Sequence, residues 1–154
     1  MKAVVQRVKD ASVKVDGIVQ GSISRGLLVY LGVAREDGEK DAEWMAENVS
    51  NSRIFPDAEG KMNLSLLDLE GAEGKNGAVL AVSQFTLLAD ARKGRRPYYG
   101  DAADPDRANA LYLYFMEEVK EHKLVCEAGV FQAHMDVSYT NDGPVTIILD
   151  SRLL

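Results

Sequence analysis

Two runs of strand length, residues 27–33 (Leu-Leu-Val-Tyr-Leu-Gly-Val) and 78–85 (Ala-Val-Leu-Ala-Val-Ser-Gln-Phe), show almost no alternation of apolar and polar side chains. A strand with one wet face alternates; a run that does not alternate has to be covered on both faces. The chain must therefore build a sheet with apolar material above and below it. At 154 residues it is long enough for one sizeable core, and residues 1–154 read as a single domain. Helices can supply part of the cover. In residues 37–51, Ala42, Met45, Ala46 and Val49 fall at i, i+3, i+4 and i+7, one apolar stripe. A second helix has clear ends: Asp104 is a natural N-cap and Pro105 a natural first residue. Its stripe is Ala108, Leu111, Tyr112, Phe115 and Val119, and Lys120, His122 and Lys123 sit where cations favour the helix dipole.

The remainder reads as short strands and turns. Strands are expected at 2–8, 12–15 and 18–23, with Asp16-Gly17 as a hairpin turn. A short strand at 53–55 is stopped by Pro56-Asp57, residues 64–69 mix strand and turn signals, and residues 70–77 form a loop. Closing strands are expected at 125–130, 136–140 and 145–149. The fold class is mixed α/β (α+β): a curved or barrel-like sheet of about eight to ten strands covered by two main helices.

Composition removes several function classes. No apolar run approaches the roughly 18 residues that cross a bilayer. Charges at Arg7 and Lys9 break any signal-peptide layout, so a cytoplasmic location is expected and no membrane partner. Cys126 is the only cysteine, which excludes an internal disulfide and a cysteine-rich metal site; it reads as a small, buried or half-buried apolar residue. His122 and His134 stand apart from any ligand pattern, so no metal and no cofactor are expected. His122 reads as a helix end and His134 as structural or exposed. Phosphate-loop, dinucleotide and nucleophile-elbow signatures are missing. The net charge of −6 argues against broad coating of nucleic acid but leaves room for a local basic patch.

Three stretches can carry chemistry. Ser83-Gln84-Phe85-Thr86 ends a buried strand, where hydroxyls also serve as backbone caps; Thr86 would need a base to act as a nucleophile. Asn141-Asp142-Gly143-Pro144-Val145-Thr146 has turn composition, and residues alone favour a turn between two strands. Arg92-Lys93-Gly94-Arg95-Arg96-Pro97-Tyr98-Tyr99 places four cations within five residues of an otherwise acidic chain. That cluster suits phosphate contacts, with tyrosine available for stacking on a base, and equally suits a solvated loop.

Taken together, these stretches resemble the D-aminoacyl-tRNA deacylases of the bacterial and eukaryotic cytosol, and the match runs nearly end to end. It includes Ala3-Val4-Val5-Gln6-Arg7-Val8, Gly26-Leu27-Leu28-Val29, Gly60-Lys61-Met62-Asn63, Ser83-Gln84-Phe85-Thr86, Lys93-Gly94-Arg95-Arg96-Pro97 and Asn141-Asp142-Gly143-Pro144-Val145-Thr146. The resemblance implies that family's fold. It implies hydrolysis of the ester of D-aminoacyl-tRNA, and of mischarged glycyl-tRNA, with L-aminoacyl-tRNA rejected. It also implies a homodimer. Ser83, Gln84, Phe85 and Thr86 would line the pocket for the 3′ adenosine and its ester. Gly143 and Pro144, joined by a cis peptide and held by Arg7, would reach into the partner subunit's pocket and screen chirality. Arg92, Lys93, Arg95 and Arg96 would meet the tRNA backbone.

An ester needs mainly an oriented water and a stabilised oxyanion, which the backbone N–H of Phe85 or Thr86 can supply. The 2′-hydroxyl of the terminal ribose is a candidate assistant. Two readings compete: a non-catalytic tRNA- or DNA-binding module using the basic stretch, and a general esterase with Thr86 as nucleophile. The chain departs from the family pattern at Ser50-Asn51-Ser52-Arg53, at Ala128, at Gln132 where glycine is common, and in a longer loop at 71–77. These departures leave contacts along residues 129–135 open.

Overall fold

The computed structural model describes residues 1–69 and 77–153. Among them are strands β1 (Lys2–Val15), β2 (Ile18–Ile23), β3 (Gly26–Gly32), β4 (Phe55–Pro56), β5 (Met62–Leu64), β6 (Ala78–Ser83), β7 (Val125–Ala128) and β8 (Asp136–Asp150), and helices α1 (Glu39–Asn51) and α2 (Pro105–Glu121). Residues 70–76 of the expected loop lie outside the described residues.

β1 is the hub. Its first half pairs antiparallel with β3, its second half with β2, and β8 runs antiparallel beside it from Lys2 to Lys14. β3 then pairs in parallel with β6, and β6 with β7. Parallel neighbours need a crossover, and α1 and α2 lie within these two connections. The order β2-β1-β3-β6-β7 brings its two ends back together. A Cβ on Gly21 of β2 would stand 2.6 Å from the carbonyl oxygen of Ala128 in β7. Only glycine permits that approach, and it nearly closes the sheet into a barrel.

Both non-alternating runs are covered on both faces. Leu27, Val29, Leu31, Val79 and Ala81 join Met45 and Val49 of α1 and Leu111, Phe115 and Val119 of α2 in one core. Leu28, Leu80 and Val82 join Val8, Ala11, Val13 and Ile23 in a second, inside the barrel. Each Val, Leu, Ile, Phe or Met side chain among them, fully buried, contributes about 1.5–3 kcal/mol.

Both helix starts follow from local chemistry. Asp104 accepts from the Arg107 N–H at 3.0 Å. α1 begins at Glu39 rather than at 37 because Asp37 turns inward: buried, it takes the Met1 ammonium at 2.8 Å and the Ala34 N–H at 2.6 Å. Asp16 and Gly17, with φ of +50° and +76°, form the expected hairpin turn. No helix among the described residues is long and apolar enough to cross a membrane.

Several boundaries need correction. Residues 2–8 and 12–15 belong to one strand, β1, which continues through the exposed Lys9 and Asp10 with register shifts against β8. Residues 136–140 and 145–149 likewise belong to one strand, β8, so 141–146 is not a turn between two strands. β7 stops at Ala128, and the expected strand at 53–55 is Phe55–Pro56, which pairs with β5. Residues 64–69 split between the end of β5 and a 3-10 turn at Leu66–Asp68.

Candidate active site

β6 ends at Ser83. The Gln84 N–H donates to the Leu31 carbonyl at 2.8 Å, extending the parallel ladder by one step. The chain then tightens into a 3-10 turn, Phe85–Leu88. Gly32 makes room for it: a Cβ there would lie 2.9 Å from the Gln84 carbonyl oxygen and 3.1 Å from Leu87 Cβ. Buried Leu88 anchors the turn, and Phe85 is left 56 % exposed. The N–H groups of Phe85 and Thr86 open the turn and have no acceptor within it. The Gln84 amide donates to the Thr86 hydroxyl.

Beside this strand end lies a cleft of about 640 Å³. Its polar lining is Ser83, Gln84, Gln132 and His134, and the rest is apolar, the usual make-up of a small-molecule site. Ala102, Ala103, Pro105 and Ala108 form one wall, pinned to the end of β3 by Ala103 N–H to the Val33 carbonyl (3.0 Å) and Arg35 N–H to the Asp101 carbonyl (2.8 Å). Phe131 and Met135 belong to the other, fixed by Gly129 N–H to the Ala81 carbonyl at 3.1 Å. Tyr112 sits behind Phe131, ring centroids 6.2 Å apart, and donates to the same carbonyl at 2.8 Å. Burial pushes its phenol pKa well above the ordinary value.

Of the four residues 83–86, Ser83, Gln84 and Phe85 line the cleft and Thr86 is half-buried outside it. His134 is 94 % exposed and stands on the rim, beside Gln132 with its positive φ of +63°. The alanine-rich wall was not anticipated. Its signal was a series of small residues at the start of α2, where a helix meeting a sheet leaves space. Cys126 is half-buried, and burial pushes its thiol up to about 12.

The Gly143-Pro144 peptide is cis. β8 pairs Asn141 with Val8 and Thr146 with Gln6, so Arg7 alone faces residues 142–145, and these bulge from the ladder. The Asn141 amide closes the base of the bulge, donating to the carbonyls of Arg7 (2.9 Å) and Val145 (3.0 Å). Arg7, itself buried, donates from Nε to the Asp142 carbonyl (3.1 Å) and from Nη1 to the Ile54 carbonyl (2.5 Å). Gly143 has φ +128°, and a Cβ there would meet Arg7 Nη2 at 2.9 Å. Gly143 and Pro144 are exposed, and within the single chain neither they nor Arg7 line the cleft.

The basic loop follows the 3-10 turn directly. Asp90 and Tyr98 close its base through paired backbone hydrogen bonds of 2.8 and 2.9 Å. Arg92 folds back on Asp90 at 2.6 Å, and its hydrogen bonds hold the Asp90 carboxyl down at about 2. Lys93, Arg95 and Arg96 are exposed, with no ion-pair partner among the described residues. Tyr99 packs edge-on to Phe85, ring centroids 5.1 Å apart, which ties the loop to the mouth of the cleft.

A barrel-like α/β domain with a largely apolar cleft at a strand end and a cationic loop at its mouth is of the small-molecule-binding class, with a surface suited to anions beside the cleft. The comparisons agree with that class and narrow it. The family model for D-Tyr-tRNA(Tyr) deacylase matches residues 4–150. The D-aminoacyl-tRNA deacylase of Kosmotoga olearia is 59% identical over 152 residues, 99% of this chain and 98% of the relative. That of Anaeromyxobacter dehalogenans is 56% identical over 154 residues, 100% and 99%. A solved structure described as c-Myc DNA Unwinding Element Binding Protein superposes with a TM-score of 0.87 at 39% identity, covering 97% of this chain and 98% of its own. Another, a probable eukaryotic D-amino acid tRNA deacylase, shares the fold with a TM-score of 0.79 at 16% identity, covering 96% and 97%. The chain belongs to the D-aminoacyl-tRNA deacylase family.

Proposed function

We propose that the protein hydrolyses the ester joining a D-amino acid, or glycine, to the 3′ end of tRNA, as a cytoplasmic homodimer. The observation that carries this reading is the placement of Ser83, Gln84 and Phe85 at the cleft, in a chain 59% identical to a deacylase over nearly its whole length. The cleft receives the terminal adenosine and its ester. The N–H of Phe85 or Thr86 stabilises the oxyanion as water attacks the carbonyl, a type of contact worth roughly 10²–10³ in rate. The amino acid leaves as the free acid and the ribose oxygen is returned as hydroxyl. Neither covalent chemistry nor a protein base is needed, and the Thr86 hydroxyl has an amide, not a base, as its partner. This favours the backbone route over Thr86 as nucleophile.

Selection against L substrates falls to Gly143 and Pro144 of the partner subunit. Their exposed bulge, braced from behind by Arg7, is a stiff piece of main chain free to enter a second cleft. Main chain set against the α-carbon leaves space for hydrogen but not for an L side chain, whereas a D side chain points elsewhere. Glycine offers nothing to reject. Lys93, Arg95 and Arg96 meet the phosphates, and Arg92, tied to Asp90, shapes the loop.

The binding-module reading has one observation in its favour, the 39%-identical relative described as a DNA-element-binding protein. One assay separates the three readings: release of tyrosine from D-Tyr-tRNA and L-Tyr-tRNA. Release from the D substrate alone is expected. Binding without release would leave the module. Cleavage of simple esters with covalent labelling of Thr86 would leave the esterase.

A further inference from the structure

The basic loop carries two tyrosines, and neither is used by the reaction at the cleft. Tyr98 is 70 % exposed, yet it stands on a fixed stretch of backbone. Its backbone is clamped on both sides to Asp90, N–H to carbonyl in each direction. Its ring lies against Gly100, whose lack of a side chain leaves the phenol room to rest on the main chain. Gly100 is held in turn, its carbonyl accepting from Arg35 Nη2 at 2.6 Å. One side of the ring is therefore backed by main chain and the remainder is open. A single exposed aromatic is ordinary on a protein surface. An exposed aromatic whose backbone and backing are both fixed has lost part of its freedom in advance, so a ligand stacking on it immobilises less.

The surroundings identify the ligand. Lys93, Arg95 and Arg96 stand exposed on the same loop in a chain of net charge −6. Tyr99, next in sequence, touches Phe85 at the cleft mouth. Cations for phosphates beside an open aromatic face are the two elements that hold single-stranded nucleic acid. We propose that Tyr98 is a stacking platform for an unpaired nucleotide of the tRNA 3′ end, upstream of the terminal adenosine. This rests on the deacylase reading and adds to it: the enzyme grips the single strand leading into the cleft, not the terminal nucleoside alone.

The test compares two substrates, D-Tyr-tRNA and D-tyrosyl-adenosine, the ester of the lone terminal nucleoside. Stacking on one aromatic ring corresponds to a change of about five- to 150-fold. Tyr98→Ala should raise KM for the tRNA by a factor in that range with kcat unchanged, and should leave cleavage of D-tyrosyl-adenosine as in the wild type. Tyr98→Phe keeps the ring and should behave as wild type on both. Unchanged KM for the tRNA in Tyr98→Ala overturns the platform. Equal losses on both substrates overturn it as well, because they would mean a damaged cleft. A Tyr98→Phe variant as weak as Tyr98→Ala would assign the role to the hydroxyl and not to stacking. A wild type that cleaves neither substrate overturns the deacylase reading itself, and the platform with it.

Discussion

Replacing Arg7 tests the link between the bulge and selectivity. The guanidinium is buried and makes two hydrogen bonds to carbonyls, of Ile54 and Asp142, and an ion pair of 3.3 Å to the Asp142 carboxylate. Arg7→Ala leaves both carbonyls without their donor. A hydrogen bond from a charged donor is worth about 1.5–3 kcal/mol. Water reaches the half-exposed Asp142 and recovers part of the loss, so about 3 kcal/mol is expected for the pair together. For a chain of this size that corresponds to a fall in Tm of roughly 6–12 °C. Arg7→Lys keeps the charge but cannot span two carbonyls, and should lose about half as much. Urea denaturation reads the stability, and kcat/KM on D-Tyr-tRNA and L-Tyr-tRNA reads the chemistry. Without its brace the bulge can yield to an L side chain, and the D-over-L ratio should fall by about tenfold or more, the equivalent of 1.4 kcal/mol. A variant that loses less than about 1 kcal/mol and keeps its full ratio would refute the bracing role.

Thr86→Ala should fold normally and keep activity within about tenfold of wild type, because the donors are backbone groups; near-total loss in single-turnover assays would point to the hydroxyl instead. Arg95→Ala combined with Arg96→Ala should weaken tRNA binding and reduce the slope of log K against log salt by about two; an unchanged slope in filter binding would locate the phosphate contacts elsewhere. The Asp90 carboxyl, held down at about 2 by Arg92, stabilises the loop above the unfolded-state value near 4, and that contribution is lost as pH falls from there through about 2. A carbon-detected NMR titration should find the Asp90 midpoint below 3; a midpoint at or above 4 contradicts the clamp.

The features legible in the sequence are those decided locally or by burial alone. The runs at 27–33 and 78–85 had to be covered twice, and β3 and β6 are. Asp104 and Pro105 open α2 because a cap and a proline act within one turn. The continuity of β1 and β8 was not legible. Asn141, Asp142, Gly143 and Pro144 suit a hairpin turn and a bulge equally, and the choice is made by a partner far away in sequence: β1 lies alongside both halves and keeps them in one ladder. Arg92 looked like one cation among four, since its pairing with Asp90 depends on how the loop folds back. The 83–86 motif was recognisable as a strand end, but its wall at residues 102–108 comes from hydrogen bonds to the end of β3 that no local pattern records.

β1 needs β8 along its full length, and the Met1 carbonyl accepts from the Ser151 N–H. On the ribosome the earliest strand therefore waits for the latest one. At roughly 5–20 residues per second, its hydrogen-bonding edge stays bare for on the order of ten seconds before its neighbour is made. Sequence-distant pairing of this kind slows folding. The β1–β8 ladder can therefore form only when nearly the whole chain has been made, although the two strands lie side by side in the finished sheet.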